Sequence, residues 1–299
     1  MNGFLNVLKA PGMTSSDVVV ALRRILSTKK IGHTGTLDPG AAGVLAVAVG
    51  KATRAIEYAA DVDKAYRCRL ILGTVTDTDD LEGGITYTHH GPLPERSDLA
   101  DILDQFVGEI DQIPPAYSAV KIDGKRAYAL AREGKDVQIA PRRVTVRSID
   151  ILGQAGEGRY DLDIACGKGV YIRSLCRDIG EALGCGGTMG YLIRTRNGAF
   201  SIEDSLTLDE IQTGTVNGTL TLIEMDETLA HLPALTWPED FVRAALSGKP
   251  LPLGEAEGTG PVQDETLYRM YCGAAFVGVG TIRDTDAGPV VKFRKMLAG

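Results

Sequence analysis

Between residues 201 and 240 there is no lysine or arginine, while nine acidic residues stand there. The chain carries a net charge of −7, which on its own argues against a nucleic-acid partner, because phosphate binding is driven by basic side chains displacing counterions. Counted by segment, the balance changes. Residues 1–60 hold seven basic groups against three acidic, and residues 121–160 hold nine against five, so each is +4. Residues 61–120 hold four against twelve. The negative charge sits in two blocks, which leaves room for a locally basic face on an acidic chain. Five cysteines (Cys68, Cys166, Cys176, Cys185, Cys272) are scattered, with no CxxC pair. That excludes a disulfide framework and a zinc knuckle, and suits a reducing cytoplasm. There is no apolar run long enough to cross a bilayer; Val44–Val49 is strand-sized. The N-terminus lacks a basic stretch followed by an apolar one, so neither secretion nor a membrane partner is expected. The Walker pattern is absent too: ahead of Gly50-Lys51 the first glycine would fall on Leu45, and the hydroxyl residue on Ala52.

What is present fits one large domain followed by a small one. Val18, Val19, Leu22, Ile25 and Leu26 fall at helical spacing, with Ser15 or Ser16 placed to cap a helix that ends near Ser27. Tyr66–Leu72, Val144–Leu152 and Tyr160–Ala165 read as strands, Ser97–Phe106 and Ile172–Leu183 as helices. An α/β or α+β domain on a large sheet is expected. A Pro-started basic excursion, about residues 113–143, could project as an arm or lie as a surface hairpin-helix. The expected boundary falls near 231/232. Beyond it a helical pattern over Trp237–Leu246 precedes short β-like runs at Leu267–Tyr271, Ala275–Val279 and Val290–Phe293.

The stretch GHTGTLDPGAAGVLAVAVG, from Gly32 to Gly50, sets Asp38 on a Pro-Gly turn between a polar glycine-rich segment and a strand expected to be buried. Alone, Leu37-Asp38-Pro39-Gly40 fits an ordinary turn. Its position also suits a rigid scaffold presenting a carboxylate at the rim of a cleft. His33 alone fits a structural imidazole, Tyr66 in an alternating strand fits a core position, and Arg173 fits a solvated charge at a helix start. His89-His90 has no third ligand in view and reads as surface, so no metal is expected.

Five ordered blocks resemble the TruB family of tRNA pseudouridine synthases over about residues 1–200. They are Lys9 with Pro11-Gly12-Met13-Thr14-Ser15, then Gly32-His33-Thr34-Gly35-Thr36-Leu37-Asp38-Pro39, Lys64-Ala65-Tyr66-Arg67, Ile113-Pro114-Pro115-Ala116-Tyr117-Ser118-Ala119-Val120-Lys121, and Lys168-Gly169-Val170-Tyr171-Ile172-Arg173-Ser174-Leu175. One departure is visible: Ala10 separates Lys9 from Pro11, where the family has Lys-Pro. The C-terminal segment more weakly resembles a PUA-type RNA-binding domain.

The resemblance implies an α+β pseudouridine synthase fold, with a large mixed, mainly antiparallel sheet and a central cleft. The implied domains are a catalytic domain over 1–231 and a PUA-like β domain over 232–299. The implied reaction isomerises the tRNA T-loop uridine, position 55, to pseudouridine by flipping out the base, breaking N1–C1′ and joining C5 to C1′. That chemistry needs no cofactor. Asp38 matches the catalytic aspartate, and its attack on C1′, its attack on C6 and its removal of the C2′ proton all remain open. Burial would raise its pKa, so a cation must offset the desolvation, and Arg173 matches the residue that pairs with it. Tyr66 matches the aromatic that stacks on the base, and its hydroxyl is a candidate to assist loss of the C5 proton. Tyr171 and Leu192 match pocket-lining positions, and His33 one that fills the space vacated by flipped bases. Lys9 and Lys168, with the arm residues Lys121, Lys125, Arg126, Arg132, Arg142 and Arg143, are candidate phosphate or substrate contacts. The expected partner is the tRNA T stem-loop or elbow, bound by a monomer. The alternative is a tRNA-binding or folding module without chemistry.

Overall fold

The strand Ala42–Val49 explains its own unbroken apolar run. Val44, Ala46 and Ala48 pack into one core while Leu45, Val47 and Val49 pack into another, so neither face meets water. Each fully buried valine or leucine here contributes about 1.5–3 kcal/mol. The second core receives the helix Ser15–Ile25 through Val18, Val19 and Leu22. That helix is capped by Thr14 rather than by Ser15 or Ser16. The Thr14 Oγ1 accepts from the Asp17 N–H at 3.0 Å, and the Asp17 carboxylate accepts from the Thr14 N–H at 2.9 Å.

The computed structural model describes the chain apart from residues 119, 123, 134–136, 259–265, 287 and 299, with backbone alone at 121, 126, 128 and 132. Its main sheet runs Gly3–Lys9, Ala42–Val49, Gly187–Asn197, Lys64–Leu72, Arg159–Cys166, Arg142–Gln154, Gly108–Gln112. Every neighbouring pair is antiparallel except Ala42–Val49 with Gly187–Asn197. At that parallel seam Gly43, at φ +108°, is held so close to the Arg194 backbone that a Cβ would collide with it. In the strand Lys64–Leu72 the residues Tyr66, Cys68, Leu70 and Leu72 alternate inward, which is why its period of two was legible. They meet the helix Ile172–Ala182, which comes so near the sheet that Gly180 lies against Gly187 with no room for a side chain.

A second sheet is built entirely from residues within 234–296, around its own core of Trp237, Tyr268, Met270, Val277 and Val291. The segment expected to be helical from Trp237 begins as the strand Ala234–Trp237, and the helix is only Val242–Leu246. Trp237 is drawn into the sheet by parallel pairing with Cys272 and by its indole N–H donating to the Pro252 carbonyl at 2.8 Å. The basic excursion begins as a two-rung hairpin, Lys121–Ile122 with Lys125–Arg126, followed by the helix Ala127–Arg132. Its root is tied to the body: the Ser174 hydroxyl donates to the Ile113 carbonyl at 2.8 Å, and Gln112 exchanges two hydrogen bonds with the Tyr171 backbone. Among the described residues no helix is long and apolar enough to cross a membrane.

Candidate active site

The Asp38 turn is held by the block around Lys9. The Ser15 hydroxyl accepts from the Leu37 N–H at 2.9 Å and donates to the Leu37 carbonyl at 3.2 Å. The Gly12 N–H donates to the Pro39 carbonyl, and the Ala41 N–H closes the turn on the Asp38 carbonyl. Lys9 is placed otherwise than its expected role as a phosphate contact. It is buried at 1% exposure, and its ammonium donates to the carbonyls of Ala10, Pro39 and Ala41 at 2.9, 3.2 and 2.6 Å. All three of its protons are used on backbone, so none is left for RNA. The inserted Ala10 supplies one of those carbonyls. Lys9→Met is therefore expected to cost about 1–3 kcal/mol in denaturant unfolding, because three carbonyls lose their donor.

The turn presents Asp38 to the buried Arg173, the second residue of the helix Ile172–Ala182. Arg173 Nε lies 3.0 Å from Asp38 Oδ2, and its Nη2 donates to Asp38 Oδ1 at 3.3 Å. The remaining guanidinium donors go to the carbonyls of Thr78 and Tyr117 at 3.1 and 2.9 Å, and Asp80 stands 3.5 Å from Nη1. Four segments thus meet at one guanidinium: the Asp38 turn, the 78–80 loop, the root of the arm and the helix. The Asp38 side chain keeps 39% of its surface open, against 5% for Arg173, so the carboxylate is open to solvent while the cation lies behind it. The protein around the carboxylate still strips away much of its water. Burial raises its pKa above the usual carboxylate value, Arg173 pulls it back and Asp80 pushes it up.

Tyr66 and Tyr171 lie close enough to Asp38 for its charge to act on them, and Leu192 shares the core that holds Leu37 and Tyr66; no contact joins His33 to Asp38 among the described residues. Tyr66 and Leu192 are each 8% exposed, on adjacent strands. Burial raises the pKa of the Tyr66 phenol, and Asp38 is among the charges acting on it. Tyr171 precedes the helix that carries Arg173, and burial raises its pKa. His33 is half-buried, its pKa lowered by burial and by Arg194, and its Nδ1 has no hydrogen-bond partner among the described residues. Lys168 is not part of this cluster. It is exposed, paired to Asp61 at 2.6 Å, and lines a separate hollow with Asp63, Arg196 and His231. In the arm Lys125 is exposed, Arg143 pairs with Asp111 at 3.1 Å, and the side chains of Lys121, Arg126 and Arg132 lie outside the described residues. Among the described residues no group of His, Cys, Asp and Glu is arranged to hold a metal.

Residues 23–172 match the family model described as TruB family pseudouridylate synthase (N terminal domain). Residues 173–231 match the tRNA pseudouridylate synthase B C-terminal domain. The chain belongs to the TruB family. Among its TruB relatives, the tRNA pseudouridine synthase B of Heliobacterium modesticaldum is 50% identical over 250 residues, 83% of this chain and 81% of the relative. That of Alkaliphilus oremlandii is 41% identical over 288 residues, 96% of this chain and 95% of the relative. Two solved structures share the architecture of this TruB chain over 99% of its length, each at a TM-score of 0.77. One is an H/ACA RNP bound to a substrate RNA containing 2′-deoxyuridine, at 26% identity and 85% of that chain; the other is a Cbf5-Nop10-Gar1 complex, at 28% and 84%.

Sequence reading missed three parts of this TruB site. Asp80 joins the Arg173 cluster, while Asp79 and Asp178 receive Arg177 one turn further along the helix, each at 2.8 Å. Arg194 is a fully buried cation beside Tyr66. Arg24, Lys29, Lys30, Lys51 and Arg54 form an exposed basic face with no ion pair among the described residues, its halves joined where the Gly50 N–H donates to the Lys30 carbonyl. Only the third had a signal, the +4 count over residues 1–60.

Proposed function

We propose that this protein isomerises the T-loop uridine of tRNA to pseudouridine, with Asp38 as the reacting carboxylate, Arg173 as its counter-charge and Tyr66 as the platform for the flipped base. The observation that carries the reading is the Asp38–Arg173 pair, with the carboxylate half open, the cation buried behind it and Tyr66 close enough to feel the Asp38 charge. An anion is held ready there without being fully withdrawn from the substrate. Stacking on a ring such as Tyr66 is worth about 1–3 kcal/mol per base, which offsets part of the cost of extruding the uridine. Leu192, Tyr171 and His33 are assigned to the rest of the base pocket. The protein acts as a monomer in the cytoplasm, with the 234–296 sheet as a PUA-like RNA-binding domain.

The reaction replaces the C5–H bond by C5–C1′ and leaves the strand intact. Purified protein and a T-stem-loop labelled with tritium at C5 should release the label to water with no strand cleavage. Retention of tritium by an RNA that nevertheless binds would favour the non-catalytic module. Tyr66→Phe keeps the ring and removes the hydroxyl. It is expected to slow single turnover on the order of 10²-fold with little change in tRNA affinity, and an unchanged rate would show that the hydroxyl is idle.

The backbone contacts are assigned to the basic face at Lys30 and Arg54 and to the exposed Lys125 of the arm. Lys30→Gln with Arg54→Gln should weaken binding of tRNAs of any sequence and flatten the slope of log K against log salt by about two. An unaltered slope would remove this face from the interface.

A further inference from the structure

Arg194 is 1% exposed, and no carboxylate pairs with it among the described residues. Its strand position is fixed on both sides, opposite Gly43 in the parallel neighbour and opposite Tyr66 in the antiparallel one. Nε donates to the Val44 carbonyl at 2.7 Å, and the two terminal nitrogens reach the carbonyls of Gly35 and Thr36 at 3.2 and 3.5 Å. The bonds to Gly35 and Thr36 pin the segment leading into the Asp38 turn. Carbonyl dipoles solvate a guanidinium but do not neutralise it, so a positive charge with no anion beside it stands buried next to Tyr66. Such a charge is costly in the resting protein and becomes favourable when negative charge appears beside it. Arg173 already has Asp38 and Asp80 as its anions. Arg194 has none until the reaction supplies one.

The reaction supplies it on the base. When the glycosidic bond breaks, the C1′–N1 electron pair leaves with the ring, so the detached uracil is an anion until C5 bonds to C1′. The C5 proton then departs, C5=C6 re-forms and N1 takes up a proton, so the proton count of the nucleoside is unchanged. Tyr66 is the group between this anion and Arg194.

We propose that Arg194 is a positioning residue for catalysis: acting through the Tyr66 hydroxyl, its unpaired guanidinium counterbalances the negative charge that develops on the detached uracil. The inference rests on the reading of Tyr66 as the residue that holds the base. The groups acting on the hydroxyl are Arg194, Cys166 and Asp38, and of these Arg194 alone is a cation. Burial keeps the phenol protonated, and with Arg194 as the cross-strand partner of Tyr66 the O–H is available to donate toward the base.

The test compares single-turnover rates of wild type, Y66F, R194Q, R194K and R194Q/Y66F on a T-stem-loop carrying uridine or 5-fluorouridine at the target. Consumption of the nucleoside is read after digestion. Fluorine withdraws electrons, so the detached base bears its charge more easily, and the probe has no C5 proton to lose. R194Q should slow uridine conversion about 10²-fold, with at least tenfold less effect on 5-fluorouridine. R194K, which keeps the charge, should recover most of the rate. R194Q/Y66F should be within about twofold of Y66F, because both changes break one chain. An R194Q defect equal on both substrates, or a double variant slower than Y66F by the full R194Q factor, overturns the inference and leaves Tyr66 in its role. An unchanged rate in Y66F alone instead sinks the reading on which the inference rests. Should circular dichroism show R194Q unfolded, R194M removes the charge without leaving a polar group unpaired, and a folded R194K as slow as R194M overturns the proposal equally.

Discussion

Asp38→Asn is expected to abolish conversion, with loss on the order of 10⁴-fold or more in single turnover, while tRNA affinity stays within a few-fold of wild type. Asparagine keeps the size of the side chain and an oxygen toward Arg173, so the turn pinned by Ser15, Gly12 and Lys9 has no reason to move. What is lost is the negative charge, and every route open to Asp38 needs it, whether the carboxylate attacks carbon or takes a proton. Filter binding and single-turnover kinetics on one preparation separate the two effects. Residual turnover within tenfold of wild type would remove Asp38 from the chemistry.

Arg173→Gln should have the second largest effect and should act on stability and pH dependence together. The guanidinium is almost wholly buried and serves two carboxylates and two carbonyls, so its removal leaves uncompensated charge and unpaired oxygens on three segments. A loss of about 3–5 kcal/mol in denaturant unfolding is expected. The pH sign follows from the directions of the shifts. Burial already raises the Asp38 pKa and Arg173 pulls it down, so without Arg173 less of Asp38 is ionised at any given acid pH. The acid limb of the rate profile should lie above the ordinary carboxylate range in wild type and move further alkaline in the variant. The same raised pKa makes ionised Asp38 a cost to folding. Its contribution to stability is therefore greatest below the unfolded carboxylate pKa and declines as pH rises through the folded value. An acid limb that stays in place after Arg173→Gln would detach the guanidinium from the carboxylate's ionisation.

Much of this arrangement was legible because its information is local. The alternation of Tyr66, Cys68, Leu70 and Leu72 is written in consecutive residues, as is the unbroken run of a strand buried on both faces. The small C-terminal sheet was visible in its short β-like runs between Gly- and Pro-rich segments. The pairing of Asp38 with Arg173, 135 residues apart, came only with the family resemblance, since nothing in the spacing of either residue announces it. What stayed hidden was burial and non-local charge pairing. Lys9 is written like any surface lysine, and only the fold shows it enclosed by three carbonyls. Asp80 lies in a segment that reads simply as acidic, and Arg194 sits in an ordinary strand pattern; each acquires meaning from residues far away in the chain. Trp237 was read as the start of a helix because helical spacing follows it, yet pairing with Cys272 settled the competition in favour of a strand.

The most direct test of the account is to map modified nucleosides in a tRNA T-stem-loop transcript after incubation with the purified protein and no added cofactor. The arrangement of Asp38, Arg173 and Tyr66 predicts stoichiometric pseudouridine at one T-loop uridine, position 55, formed by wild type and not by Asp38→Asn. A transcript that binds yet stays unmodified, or one modified equally by the Asp38→Asn protein, would contradict it.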